Sequence, residues 1–126
     1  LKSHFILYVS DQEKSTGFYE IVLSQKATLN VPGMTEFKLN DNCTLGLMPS
    51  MGIKKLLGGK MPDPSTAQGI PRAELYLEVN NPEGYHARAL QSGAVELSEM
   101  KVRDWGHKAA YSLDLDGHVI AFAKAC

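Results

Sequence analysis

The strongest constraint on this chain is that its pattern repeats. His4-Phe5-Ile6-Leu7-Tyr8-Val9 and Glu74-Leu75-Tyr76-Leu77-Glu78-Val79 begin 70 residues apart and share one alternation. Every second residue is apolar and fit to pack under a helix: Phe5, Leu7 and Val9, then Leu75, Leu77 and Val79. The interleaved residues are His4, Ile6 and Tyr8, then Glu74, Tyr76 and Glu78. They hold the polar atoms and face a groove or solvent. After each stretch the sequence reads as a helix followed by three strands. A module of this size cannot bury its sheet alone. The repeat therefore predicts an α+β fold: two βαβββ modules forming a curved sheet around a cleft, helices outside and the concave face open to a ligand.

The punctuation supports this division. Ser10-Asp11 offers helix-start chemistry, and Glu13–Leu23 follows with Phe18, Ile21 and Val22 on one stripe. Gly17 within it costs about 1 kcal/mol against alanine. Gln25–Val31 reads as a strand and Pro32-Gly33 as a turn. Glu36–Asn40 and Cys43–Met48 read as a hairpin around Asn40-Asp41-Asn42. Pro49 to Pro71 is rich in glycine and proline. It reads as a connector, or as a flap with Ile53, Leu56, Leu57 and Met61 as its apolar underside. Asn81-Pro82 starts a helix to about Leu90, capped by Gly93. Val95–Leu97 is a strand. Lys108–Leu113 and His118–Ala123 flank the turn Asp114-Leu115-Asp116-Gly117. The expected division is one domain, with module one about 1–49, a linker about 50–71 and module two about 72–126.

Composition narrows the function classes. The 126 residues have a formal net charge of −1 and no basic cluster interleaved with aromatics, so nothing favours nucleic acid or an anionic membrane. No apolar run approaches the ~20 residues that span a bilayer. The start lacks a signal-peptide pattern. Cys43 and Cys126 form neither a metal spacing nor a disulfide framework. A reduced, cytoplasmic setting is the expectation. Cys43 has no general base that the sequence can pair with it, so nucleophilic catalysis has no support.

The segments Asp104-Trp105-Gly106 and Asp114-x-Asp116-Gly117-His118-Val119-Ile120 precede and form the closing hairpin. With His4-Phe5-Ile6-Leu7-Tyr8-Val9-Ser10-Asp11 and Phe18-Tyr19-Glu20-Ile21-Val22-Leu23 they mark both ends of the chain, and the resemblance they carry spans nearly all of it. In order and spacing they resemble the vicinal oxygen chelate superfamily, which includes glyoxalase I, bleomycin-resistance proteins, fosfomycin-resistance proteins and extradiol dioxygenases. One departure is Ser24, where relatives usually have glycine at the end of the first helix.

The resemblance implies where metal ligands would sit: the first residue of each opening strand and one residue on each closing strand. Here these are His4 and Glu74, then Gly46 and Ala121, when residues 42–47 are aligned with 117–122. Glycine and alanine cannot bind metal, so the set is incomplete against the three protein ligands that a catalytic divalent site usually takes. The first reading is thus a metal-free protein that binds a small organic molecule in its groove, as a homodimer like the bleomycin-resistance branch. The alternative is a metal-dependent lyase or isomerase resembling glyoxalase I. It would use His4, Glu74 as catalytic carboxylate, and a divalent Zn, Ni, Mn or Fe.

The residues expected along the groove are Tyr8, Met48, Tyr76, Glu78, Trp105 and Tyr111. Tyrosine with a polar tip suits such a wall. Trp105, the single tryptophan, is either a packing anchor for its loop or a stacking surface; Tyr111 is either core or groove. Arg103, His107 and His118 read as surface residues, and Asp114 and Asp116 as turn formers.

Overall fold

The two opening stretches are strands, and each starts the same succession of elements. Module one runs β1 (Ser3–Val9), α1 (Gln12–Leu23), β2 (Leu29–Val31), β3 (Met34–Asn40) and β4 (Cys43–Pro49). A helix α2 (Ser50–Leu57) and two 3₁₀ turns, Gly58–Lys60 and Pro64–Ala67, follow. Module two runs β5 (Glu74–Glu78), α3 (Pro82–Gln91), β6 (Val95–Val102), β7 (His107–Leu113) and β8 (Val119–Ala125). The computed structural model describes residues 1–67 and 69–126; residue 68, inside the expected linker, lies outside the described residues. The α+β fold of two βαβββ modules is as the repeat predicts.

Each module builds its own four-stranded mixed sheet, ordered β1-β4-β3-β2 and β5-β8-β7-β6. The opening strand runs parallel to the closing one: His4 lies opposite Thr44 and Ile6 opposite Gly46, while Glu74 lies opposite Val119 and Tyr76 opposite Ala121. This register matches the alignment of residues 42–47 with 117–122. By contact the chain divides into two compact units, Leu1–Glu20 with Ser24–Ala67, and Ile21–Leu23 with Gln68–Cys126.

In the first unit α1 covers the face bearing Thr35, Phe37, Leu45 and Leu47, all fully buried. Tyr19 packs on Phe37 with ring centroids 6.4 Å apart. The other face carries His4, Ile6 and Tyr8 beside Thr44, Gly46 and Met48. Phe5 departs from expectation. It has the parity of the helix-covered face, yet it is 59% exposed while Val9 is fully buried. The covered part of this edge strand is its C-terminal end. In the second unit α3 lies on the face of Ile120 and Phe122, with Tyr85 against Phe122 at 5.2 Å. The opposite face carries Glu74, Tyr76 and Glu78 on β5, Ala121 and Ala123 on β8, and His107, Ala109 and Tyr111 on β7.

The module helices close alike. Asn81 caps α3 by accepting from the Gly84 amide at 3.2 Å, with Pro82 at the first position. At its end Gly93 takes φ 109°, the Ala94 amide donates to the Ala89 carbonyl and Gly93 N–H to Leu90. In α1 the equivalent residue is Ser24 at φ 54°, with Gln25 N–H donating to the Glu20 carbonyl. The strand expected over Gln25–Val31 is shortened to Leu29–Val31, because Glu20 Oε2 holds the Ala27 amide at 3.1 Å in the exit loop.

The segment expected as a linker holds α2. Ile53 is buried, but Leu56 and Leu57 are exposed, so the helix covers apolar surface with one residue of the proposed underside. Gly58 at φ 76° ends it, and Lys54 Nζ donates to the carbonyls of Gly58 and Met61. No helix among the described residues is long and apolar enough to cross a membrane.

Candidate functional site

The open face of the second sheet gathers the most chemistry. Strand alternation points Glu74, Tyr76 and Glu78 out of one side of β5. Trp105 sits in the turn before β7, where Gly106 takes φ 88° and reverses the chain. Trp105 Nε1 donates to Tyr76 Oη at 3.0 Å. Tyr76 Oη lies 2.7 Å from His107 Nδ1, and the two rings stack at 5.8 Å. His107 Nε2 lies 3.5 Å from Glu78 Oε1. One connected line therefore runs Trp105–Tyr76–His107–Glu78.

A second cluster adjoins it on the same face. Tyr111 lies opposite Ala121, the neighbour of Tyr76. The Arg103 guanidinium stands 5.2 Å over the Tyr111 ring, and its N–H groups reach Ser98 Oγ and the carbonyls of Glu99 and Ala109. Burial raises the pKa of the Tyr111 phenol, the charge of Glu74 adds to this, and Arg103 opposes it. Between the aromatic rings the sheet carries Ala109, Ala121 and Ala123, all fully buried. These small side chains are covered, and the accessible surface of this face is that of the larger residues around them. Trp105 is 52% exposed.

On the first sheet's open face, His4 Nδ1 lies 3.6 Å from Glu36 Oε2. Tyr8 lies directly opposite Met48. At Gly46 an added Cβ would meet Ile6 Cγ1 at 3.1 Å and Met34 Sδ at 3.3 Å. A side chain at the position that would carry a ligand carboxylate would thus have to displace Ile6 and Met34 by a few tenths of an ångström. Among the described residues no group of three or more His, Cys, Asp or Glu side chains is placed to hold a metal ion. Taken singly, neither face presents a three-donor centre among the described residues.

A shallow groove of about 660 Å³ also lies in the first unit, lined by Gln12, Thr16, Gly17 and Asn30 among others. Its polar groups hold the fold together: Gln12 Nε2 donates to the Val31 carbonyl and Thr35 Oγ1, and Thr16 bonds Thr35 at 2.8 Å. The site assignment therefore stays with the second sheet.

Of the residues singled out in sequence, Tyr76, Glu78 and Trp105 meet in one network, and Tyr111 and Glu74 share its face. His4, Tyr8 and Met48 lie on the first sheet. Three participants were not legible. His107, read as a surface residue, is the centre of the network, four residues before Tyr111 and so on the same side of β7. Arg103 is held by hydrogen bonds rather than free. Glu36, on β3, is the partner of His4. His118 is also corrected: it is not a freely exposed turn residue, since its Nδ1 lies 2.8 Å from Asp114 Oδ2.

Two βαβββ modules, each with a four-stranded mixed sheet and a helix of its own, define a class of duplicated α+β domains. This chain belongs to the glyoxalase-like domain family, which it matches over residues 3–125. The vicinal oxygen chelate resemblance read from the motifs holds. A glyoxalase-related enzyme from Fulvimarina pelagi is 18% identical, with a TM-score of 0.82 over 98% of this chain and 87% of that one. A glyoxalase/bleomycin resistance protein from Catenulispora acidiphila is 20% identical, with a TM-score of 0.69 over 100% and 99%. A glyoxalase/bleomycin resistance protein/dioxygenase family enzyme from Burkholderia phytofirmans is 13% identical, with a TM-score of 0.78 over 98% of both chains. At these identities the likeness speaks for the fold alone. No curated protein matches.

Proposed function

We propose that this protein binds a small organic molecule on the open face of its second sheet, without a resident metal. The observation that carries this reading is the line Trp105–Tyr76–His107–Glu78, which ends on the half-exposed ring of Trp105. Aromatic faces supply apolar contact area, and a few fixed polar groups orient what they hold. Gly46 and Ala121 support the metal-free form of the reading, since neither has a donor atom. The setting is cytoplasmic and the assembly a homodimer in this proposal.

Trp105 is the single tryptophan, so its fluorescence reports on this face alone. Titration with a panel of hydrophobic and aromatic compounds is expected to quench it and to raise the melting temperature. If no compound does either, the reading fails. The His4–Glu36 pair favours a second reading, a metal-dependent lyase with Glu74 as its catalytic carboxylate. Elemental mass spectrometry after chelation and reloading separates the two. Near-stoichiometric Zn, Ni, Mn or Fe that is lost on His4→Ala would establish the metal reading.

A further inference from the structure

The direction of the hydrogen bonds at Tyr76 limits what this face can hold. If the face binds a ligand as proposed above, these bonds also set the class of that ligand. An indole N–H only donates, so Tyr76 Oη accepts from Trp105. At the other end Glu78 offers a carboxylate, which accepts, beside His107 Nε2. The negative charge there favours the tautomer with its hydrogen on Nε2, in which Nδ1 of the neutral ring is the acceptor. Tyr76 consequently donates its O–H to Nδ1 at 2.7 Å. Its one proton points inward. Toward a ligand it has a lone pair to offer and no hydrogen.

The charges near Tyr76 agree. Glu74 and Glu78 flank it on the same side of β5, each about 7 Å along the strand. Arg103 already donates to Ser98, Glu99 and Ala109 and stands over Tyr111. Lys101, opposite Ala109 on this face, is on β6, three strands from β5 or about 14 Å away. Aromatic faces with carboxylates beside them attract cations and repel anions.

We propose that the Tyr76 face takes a flat cation with N–H donors, of the amidinium or arylammonium class, received by the Tyr76 lone pair between Glu74 and Glu78. The ring of such a ligand stacks on Trp105 while its N–H groups meet acceptors only. A carboxylate or carbonyl ligand would face the Tyr76 oxygen with no hydrogen between them.

The test uses the full chain and three probes of one shape: benzamidine, benzamide and benzoate. Binding is read at pH 8.5 by Trp105 fluorescence and by the indole N–H signal in NMR. Benzamidine is expected to bind at least about tenfold more tightly than benzoate, since charge-assisted hydrogen bonds are the strong ones. Tyr76→Phe removes the accepting oxygen and is expected to weaken benzamidine about tenfold, to the level of benzamide. Glu78→Gln, at an exposed position, gives a second variant if Tyr76→Phe folds poorly, and is expected to weaken benzamidine about threefold. Nitrogen NMR of His107 should show the hydrogen on Nε2. Equal or tighter binding of benzoate, or a hydrogen on Nδ1 at this pH, would overturn the inference. If none of the three probes binds while neutral or anionic compounds quench Trp105, this inference falls and the ligand-binding reading stands. If no compound of any charge quenches Trp105, both fall.

Discussion

Ser24 shows how one residue can work against an otherwise consistent local design. The last turn of α1 closes with the chain at φ 54°, a conformation that brings a Cβ toward the following carbonyl oxygen at a cost of roughly 1 kcal/mol. The second helix solves the same problem with Gly93. Ser24→Gly removes the strain but adds freedom to the unfolded chain. The balance is expected to stabilise the protein by about 0.5 kcal/mol, raising the melting temperature by roughly 2 °C. Calorimetry decides it: an unchanged or lower melting temperature would mean that Ser24 recovers the strain locally. The departure at Ser24 was legible in sequence only against the glycine that the resembled family usually has at the end of this helix. The role of His107 was not. Nothing local to Trp105-Gly106-His107 says that the imidazole meets a tyrosine 31 residues earlier in the chain. That encounter depends on β5 and β7 both flanking β8.

At the scale of elements, the closing hairpin was the most legible part, because its turn is built from its own sequence. Asp114 is buried and its Oδ1 accepts from the amides of Asp116 and His118, both at 2.9 Å. Gly117 takes φ 87° with the Gly69 backbone against it, so a Cβ there would clash with the Gly69 carbonyl oxygen. The α2 segment was the least legible. Glycines and prolines on both sides of Ser50–Leu57 announce a loop, and only Ile53 is held inside. The hairpin also gives a pH dependence. Burial of His118 works against its charge, but the hydrogen bond and charge of Asp114, with Asp116 behind it, outweigh burial and raise its pKa. A raised folded-state value means that the charged imidazole favours the fold. This contribution is full below the unfolded value near 6.5 and is lost as pH rises through the folded value. Denaturant midpoints are therefore expected to fall across that window in the wild type and to flatten in His118→Asn. A wild-type curve rising there, or one that the variant leaves unaltered, would contradict the pairing.

At the scale of the molecule, the repeat made two modules legible but not the way α1 is shared. Each module has its own strand order and its own helix, so the sequence reads as two complete halves. The units drawn by contact are not the halves drawn by sequence, because Ile21–Leu23 from α1 group with the second unit. There Val22 is fully buried, and Arg88 Nε and Nη2 donate to its carbonyl at 3.2 and 3.1 Å. The Arg88 guanidinium also stands 4.4 Å over the Tyr85 ring. A fragment spanning residues 72–126 would keep β5 through β8 and α3 but lose this turn. It would leave Arg88 without the Val22 carbonyl. At about 55 residues such a sheet-and-helix unit is marginal even when complete. Losing a charge-assisted pair alone costs about 1.5–3 kcal/mol. The fragment is therefore expected to lack the near-ultraviolet dichroism of Trp105 that the full chain shows. Adding a peptide of residues 12–24 should recover part of it. A fragment with native dichroism by itself would show that the second module is self-sufficient and that the turn of α1 contributes little.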